Sequence, residues 1–128
     1  MNSSRAFRIL YVARNEDDYV LLSTMFNFPD VNITLAETAA EALRKIRREH
    51  FDLYLLETRL PDGDGFELCK LMRDFNPETP IIFYSGDAGE VHRQKGLAVG
   101  ANAYLAKPYL DSLAVMLNKF IFANGVVA

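Results

Sequence analysis

The chain has 128 residues, half of them hydrophobic and about a quarter charged, with a net charge of −3 and a pI near 5.3. That is enough for one domain with a real core, and it argues against a nucleic-acid surface built on bulk positive charge. Cys69 is the only cysteine, which excludes an intrachain disulfide and a cysteine metal cluster; at its apolar helical spacing it reads as a core filler. No apolar stretch reaches the roughly 18–20 residues of a membrane span. Met1-Asn2-Ser3-Ser4-Arg5 leads into a strand-like run, not a signal peptide. A cytoplasmic protein without a membrane partner is expected.

Hydrophobic periodicity alternates between two and 3.6 along the chain. Phe7 to Val12 reads as a first strand. Asp17 or Asp18 then opens a helix carrying Val20, Leu21, Met25 and Phe28, stopped by Pro29-Asp30. Val31 to Ala36 is a second, alternating strand, and Thr38 with Glu41 forms a capping box for the next helix. That helix sets Ala39, Ala42, Leu43 and Ile46 on one face. Arg44, Lys45, Arg47, Arg48 and Glu49 lie largely on the other, read as a solvated face. Leu53 to Leu56 is apolar throughout, as at the centre of a parallel sheet. A helix follows Gly65 with Leu68, Leu71, Met72 and Phe75 inward. Pro80 to Tyr84 is a fourth strand, and Ser85-Gly86-Asp87 turns into a weaker helix over about Gly89 to Val99, containing Gly96 and closed by Gly100. Ala103 to Ala106 is a fifth strand. Lys107-Pro108 starts a last helix with Leu110, Leu113, Ala114, Leu117 and Ile121 inward.

Five βα units with short connections imply an α/β fold: a central five-stranded parallel sheet with helices on both faces, over residues 7–123 between short tails at 1–6 and 124–128. Chemistry in such sheets gathers at the C-terminal ends of the strands. Those ends carry Ala13, Arg14, Asn15, Glu57, Ser85 and Lys107. Glu57 is the most informative, a carboxylate at the mouth of a buried strand beside the Pro/Gly-rich turn Leu60-Pro61-Asp62-Gly63-Asp64-Gly65.

The same residues carry a resemblance. Ile9-Leu10-Tyr11-Val12 followed by Asn15-Glu16-Asp17-Asp18, the Leu60 to Gly65 loop, Pro80 to Gly86, and Gly100 to Pro108 together resemble the receiver domain of two-component response regulators. The resemblance covers about residues 7 to 123. It implies the flavodoxin-like (βα)5 fold of CheY-like proteins and a role in phosphorelay signal transduction. It also implies that the phosphoacceptor aspartate stands at the position of Glu57, that two Mg²⁺-holding acids stand at those of Ala13 and Arg14, and that Ser85, Tyr104, Lys107 and Pro108 match the switch positions. The Lys107-Pro108 bond resembles the family's cis peptide. In receivers the hydroxyl at the position of Ser85 bonds the phosphoryl group, and the aromatic at that of Tyr104 then turns inward. This remodels the face of the fourth helix, fifth strand and fifth helix for partners.

The departures shape the functional expectation. Ala13, Arg14, Glu57 and Lys107 carry a formal charge of about +1, where the family's set carries about −2. Such a site has little reason to bind Mg²⁺, so no cofactor is expected. The glutamate carboxylate also sits one methylene further out than an aspartate's, which shifts in-line attack. Glu57 is read as paired with Arg14, Lys107 or both, in place of a metal-centred network; the alternatives are that it faces solvent at a disused site, or that its single charge mimics a phosphate.

Tyr109, Met116 and Phe120 form a second apolar row beside the core stripe of the last helix. With Tyr104 they are the candidate contact surface, for a protein partner or a second copy of the chain. A wide buried stripe is the plainer reading of the same row. The expected function is that of an atypical, stand-alone receiver, not an enzyme, acting by protein contact independently of phosphorylation; a receiver cut from a longer protein would read the same way. A conventional phosphorelay receiver phosphorylated by a histidine kinase on Glu57 is the alternative. A small-ligand-binding flavodoxin-like module is a third class, but no glycine-rich phosphate cradle follows the first strand and no nucleophile–base pair is found.

Overall fold

In the computed structural model, the described residues are 6–14, 16–27 and 30–123. Asn15, Phe28, Pro29 and the tails at 1–5 and 124–128 lie outside them. The elements are β1 (Phe7–Val12), α1 (Glu16–Met25), β2 (Val31–Ala36), α2 (Ala39–Arg48), β3 (Leu53–Leu56), β4 (Arg59–Leu60), β5 (Gly63–Asp64), α3 (Gly65–Phe75), β6 (Ile81–Ser85), α4 (Glu90–Ala98), β7 (Ala103–Ala106) and α5 (Leu110–Ala123).

Five strands form one parallel sheet in the order β2-β1-β3-β6-β7. This is the doubly wound, flavodoxin-like order, whose topological switch point lies between β1 and β3. β3 and β6 are buried along their whole length, because helices cover both faces of the central strands. Two core clusters result. One packs Leu10, Val12, Leu56 and Phe83 against Ala42, Ile46, Phe66, Cys69 and Met72. The other packs Ile9, Tyr11, Leu55 and Ile82 against Leu22, Phe26, Leu113, Leu117 and Ile121. Cys69 is buried within the first, and burial pushes its thiol up to about 11.

Two helices present faces other than those expected. α1 buries Leu22, the turn just after it buries Phe26, and Val20, Leu21 and Met25 are left exposed. α3 buries Phe66, Leu68, Cys69 and Met72 and leaves Leu71 and Phe75 exposed. Both helices carry apolar residues on more than one side, and the sheet accepts only one stripe from each. α1 also begins at Glu16, and α5 begins at Leu110, beyond the cis Lys107–Pro108 bond.

The loop after β3 forms a small antiparallel hairpin, Arg59–Leu60 against Gly63–Asp64, that periodicity did not reveal. Its residues lock neighbouring elements. Asp62 accepts from the Ala39 and Ala40 amides at 2.8 and 3.0 Å, satisfying two orphan donors at the start of α2, and Thr38 accepts from Glu41. Asp64 caps α3 through the Glu67 amide. A Cβ built at Gly65 would overlap the Glu57 carbonyl oxygen, so only glycine allows α3 to start directly against the end of β3.

Candidate functional site

The sheet register brings the strand ends into one edge. The Ala13 amide donates to Ala36, the Glu57 amide to Val12 and the Lys107 amide to Ser85. Ala13 is fully buried and contributes only a methyl group, whereas Arg14 is exposed.

Lys107 is the electrostatic centre. Its Nζ lies 2.8 Å from Glu57 Oε2 and 2.5 Å from Asp18 Oδ2. All three side chains are largely withdrawn from solvent. Burial alone would depress the Lys107 ammonium, but the hydrogen bonds to Asp18 and Glu57 overcome it and hold the group above its ordinary value. The ammonium also lies 5.5 Å from the centroid of the Tyr84 ring. Among the described residues, Glu57 pairs with Lys107 and not with Arg14. Arg14 instead lines an open cleft of about 260 Å³ with Glu57, Arg59, Gly86 and Asp87.

A second network closes the other side of Glu57. Thr58, buried at the start of the loop, donates its amide to Glu57 Oε1 at 2.9 Å. Its hydroxyl lies 2.7 Å from Asp87 Oδ2, 2.6 Å from Ser85 Oγ and 3.3 Å from Glu57 Oε1. A hydroxyl has one proton. Thr58 gives its proton to the nearer carboxylate, Asp87, so Ser85 donates to Thr58 while accepting from the Asp87 amide at 3.0 Å. Ser85 is fully buried and both its roles are taken. Arg59 grips the Asp87 carboxylate through Nε and Nη2, both at 3.0 Å. The Arg59 guanidinium, followed by the Thr58 hydroxyl, holds the Asp87 carboxyl below the usual range.

Tyr104 sits inward. It is buried, stacks on Phe83 with centroids 5.6 Å apart, and donates its hydroxyl to the Asp87 carbonyl. Burial pushes its hydroxyl upward, and the Asp87 and Glu57 carboxylates act in the same direction. Gly96 makes the room: a Cβ there would come within 2.8 Å of Tyr104 and 3.1 Å of Phe83. On α5, Met116 and Phe120 are half-buried against the core, while Val115 and Phe122, and Tyr109 just before the helix at 64% exposed, face outward. The row expected to stand clear of the core is thus largely part of it.

Sequence reasoning gathered Arg14, Glu57, Ser85 and Lys107 correctly at one edge but missed Asp18, Thr58, Arg59 and Asp87. Including them corrects the expected positive charge: Arg14, Arg59 and Lys107 stand against Asp18, Glu57 and Asp87, and the pocket is formally neutral. As a set of metal donors it fits Mg²⁺ poorly. Two carboxylates share one ammonium, a third is held by a guanidinium, and the buried Ala13 offers no oxygen.

The family model of the response regulator receiver domain matches residues 9–118. The chain is 34% identical over 114 residues to the transcriptional regulatory protein CssR of Bacillus subtilis, covering 88% of this chain and 50% of that protein. It is 32% identical over 112 residues to the sensor protein EvgS of Escherichia coli K12, covering 87% of this chain and 9% of that protein. It therefore spans half or less of the length of these two relatives. The non-phosphorylated HemR receiver domain of Leptospira biflexa is similar in structure, with a TM-score of 0.81 at 31% identity, covering 89% of this chain and 93% of that one. No helix among the described residues is long and apolar enough to cross a membrane. With the sheet order, the strand-end site and these likenesses together, the chain belongs to the response regulator receiver domain family.

Proposed function

We propose that this receiver acts in two-component signalling by protein contact, without an aspartyl-phosphate cycle, without Mg²⁺ and without catalysing a reaction of its own. One observation carries the reading: the groups that would receive a phosphoryl group already have protein partners. Lys107 holds Glu57 and Asp18, and Ser85 spends its proton on Thr58. A phosphoryl group at Glu57 would have to break these contacts, in a site whose donors suit a charge-offsetting divalent ion poorly.

The same contacts support a receiver resting in the arrangement its relatives adopt when switched on. Tyr104 is inward and tied to Asp87, and Thr58 offers Ser85 an acceptor where a phosphoryl oxygen would otherwise serve. Receivers interact with proteins such as kinases and effectors. Here the partner surface is the face of α4, β7 and α5, where Val91, Tyr109, Val115 and Phe122 are exposed, and a second copy of the chain is the alternative occupant.

The test is to incubate the protein with a small-molecule phosphodonor and Mg²⁺ and weigh it intact. An unchanged mass is expected. A Mg²⁺-dependent gain of one phosphoryl group on Glu57 would sink the reading. It would favour a conventional phosphorelay receiver, the second reading, which family membership and the open cleft beside Glu57 support.

A further inference from the structure

At the opposite end of the sheet from Glu57, the C-terminal ends of α2 and α3 enclose a groove of about 270 Å³. Arg47, Arg48, Glu49 and His50 line it at the end of α2, together with Tyr54 and with Phe75 at the end of α3. Phe75 is 54% exposed, and Leu71, one turn earlier on the same stripe of α3, is 45% exposed. Both were expected in the core. Large apolar side chains left outside a core beside a groove mark a contact surface more than isolated exposed residues do.

The charges around the groove indicate what would fill it. Its nearby acids are already engaged. Glu49 accepts from Arg8 at 2.5 Å, and Asp52 accepts from the Arg8 amide at 2.8 Å and meets His50 at 2.9 Å. Arg8 also stacks over Phe51. Among the described residues, the side chains of Arg44, Arg47 and Arg48 form no ion pair, so three guanidiniums on this helix stay available in a protein whose net charge is −3. Guanidinium groups beside an exposed aromatic favour a carboxylate-bearing partner with an apolar anchor.

We infer that this groove docks an acidic helical segment of a partner protein, its carboxylates on Arg47 and Arg48 and its apolar side chains on Leu71 and Phe75. The inference is independent of how Glu57 is used. A helix suits it because Leu71 and Phe75 are four residues apart, matching apolar anchors one turn apart. Nucleic acid is disfavoured by the acidic whole and by Glu41 and Glu49, which interrupt the basic face.

The probe is a fluorescein-labelled, helix-forming peptide with leucines one turn apart flanked by glutamates. Its lysine-for-glutamate counterpart and a mixed-sequence single-stranded oligonucleotide serve as competitors. Saturable binding is expected in fluorescence anisotropy, with amide shifts mapping to Arg47, Arg48, Leu71 and Phe75. R47E/R48E should weaken it about tenfold and remove its salt dependence. Phe75→Ser should weaken it to a similar degree, about tenfold, while keeping the salt dependence. All three positions are exposed, so a thermal midpoint close to wild type should accompany each variant. The assignment is overturned if no saturation occurs below ~1 mM, if either competitor binds as well as the probe, or if the shifts map to α4, β7 and α5. Self-association that R47E/R48E abolishes in sedimentation would make a second copy the occupant and equally overturn it.

Discussion

The hydroxyls of Thr58 and Ser85 meet at 2.6 Å where neither residue is accessible to solvent. One stands directly after Glu57 and the other is the strand-end hydroxyl that the family resemblance expects to read that position out. Their contact joins the end of β3 to the end of β6 without any added group.

Thr58→Val tests that joint. Valine keeps the shape but removes the oxygen, so the buried Ser85 hydroxyl loses its acceptor and Asp87 loses one donor. A loss of about 1–3 kcal/mol is expected from the urea midpoint, with the slope unchanged. An unaltered midpoint would show that the hydroxyl pair contributes nothing net.

Lys107→Met would leave Asp18 and Glu57 facing each other without their shared cation. A loss of about 2–3 kcal/mol at neutral pH is expected, at or below the bottom of the range for buried pairs because some solvent reaches the site. The pH dependence has a definite sign. The folded-state value of Lys107 is raised above its ordinary 10.5, so its contribution is fully present below that value and fades as pH climbs through the folded-state value. Tyr11, Tyr84 and Tyr104 are also raised, chiefly by burial, and lose stability in the same alkaline direction in both proteins. The gap between wild type and Lys107→Met in chemical denaturation should therefore narrow on the alkaline side of the ordinary lysine value. A gap that widens there would contradict the geometry around Lys107.

Restoring acids should restore a metal site. The triple variant Ala13→Asp, Arg14→Asp, Glu57→Asp replaces one methyl group and one guanidinium with carboxylates at the mouth of β1. Amide-shift titration should then show saturable Mg²⁺ binding, with none expected for the wild type, and intact mass should rise by one phosphoryl group with a phosphodonor. A triple variant that folds but ignores Mg²⁺ would mean that Lys107 and Asp18, not the lost acids, set the pocket's behaviour.

Gly96→Ala opposes two effects. Alanine favours a helix by about 1 kcal/mol over glycine. Its Cβ would nevertheless press on the Tyr104 and Phe83 rings, and overpacking of a filled site costs about 1–3 kcal/mol. A small net loss of stability is expected, together with Tyr104 displaced outward, read from ring cross-peaks in NMR. A variant more stable than wild type with Tyr104 still inward would show that α4 yields easily.

Most of the architecture was legible in the residues. Four apolar runs and a short fifth, separated by capping and turn residues, leave little choice but a parallel sheet, and the strand ends then follow. The faces of α1 and α3 were not legible. Val20, Leu21 and Met25 compete with Leu22 and Phe26 for one helix, and only docking on the sheet decides between them. The ion-pair network was half legible. Lys107 and Glu57 lie at predictable strand ends. Asp18 reaches Lys107 from 89 positions away and looked like a helix-start residue, a role any acid in a first turn could fill. Thr58, Arg59 and Asp87 gain their meaning only from the hairpin after β3, which carries no periodic signal of its own.

Lys107 has one more consequence. A divalent ion in such a pocket exchanges with solution, so its occupancy follows the surrounding concentration. An ammonium on the chain is a counter-ion that cannot be washed away, chelated or outcompeted at trace levels. Its local concentration is fixed by covalent tethering at the turn between β7 and α5. The mutual anchorage of β3, α1 and that turn should therefore be indifferent to chelators and divalent salts, and should fade at the alkaline extreme as the Lys107 ammonium gives up its proton.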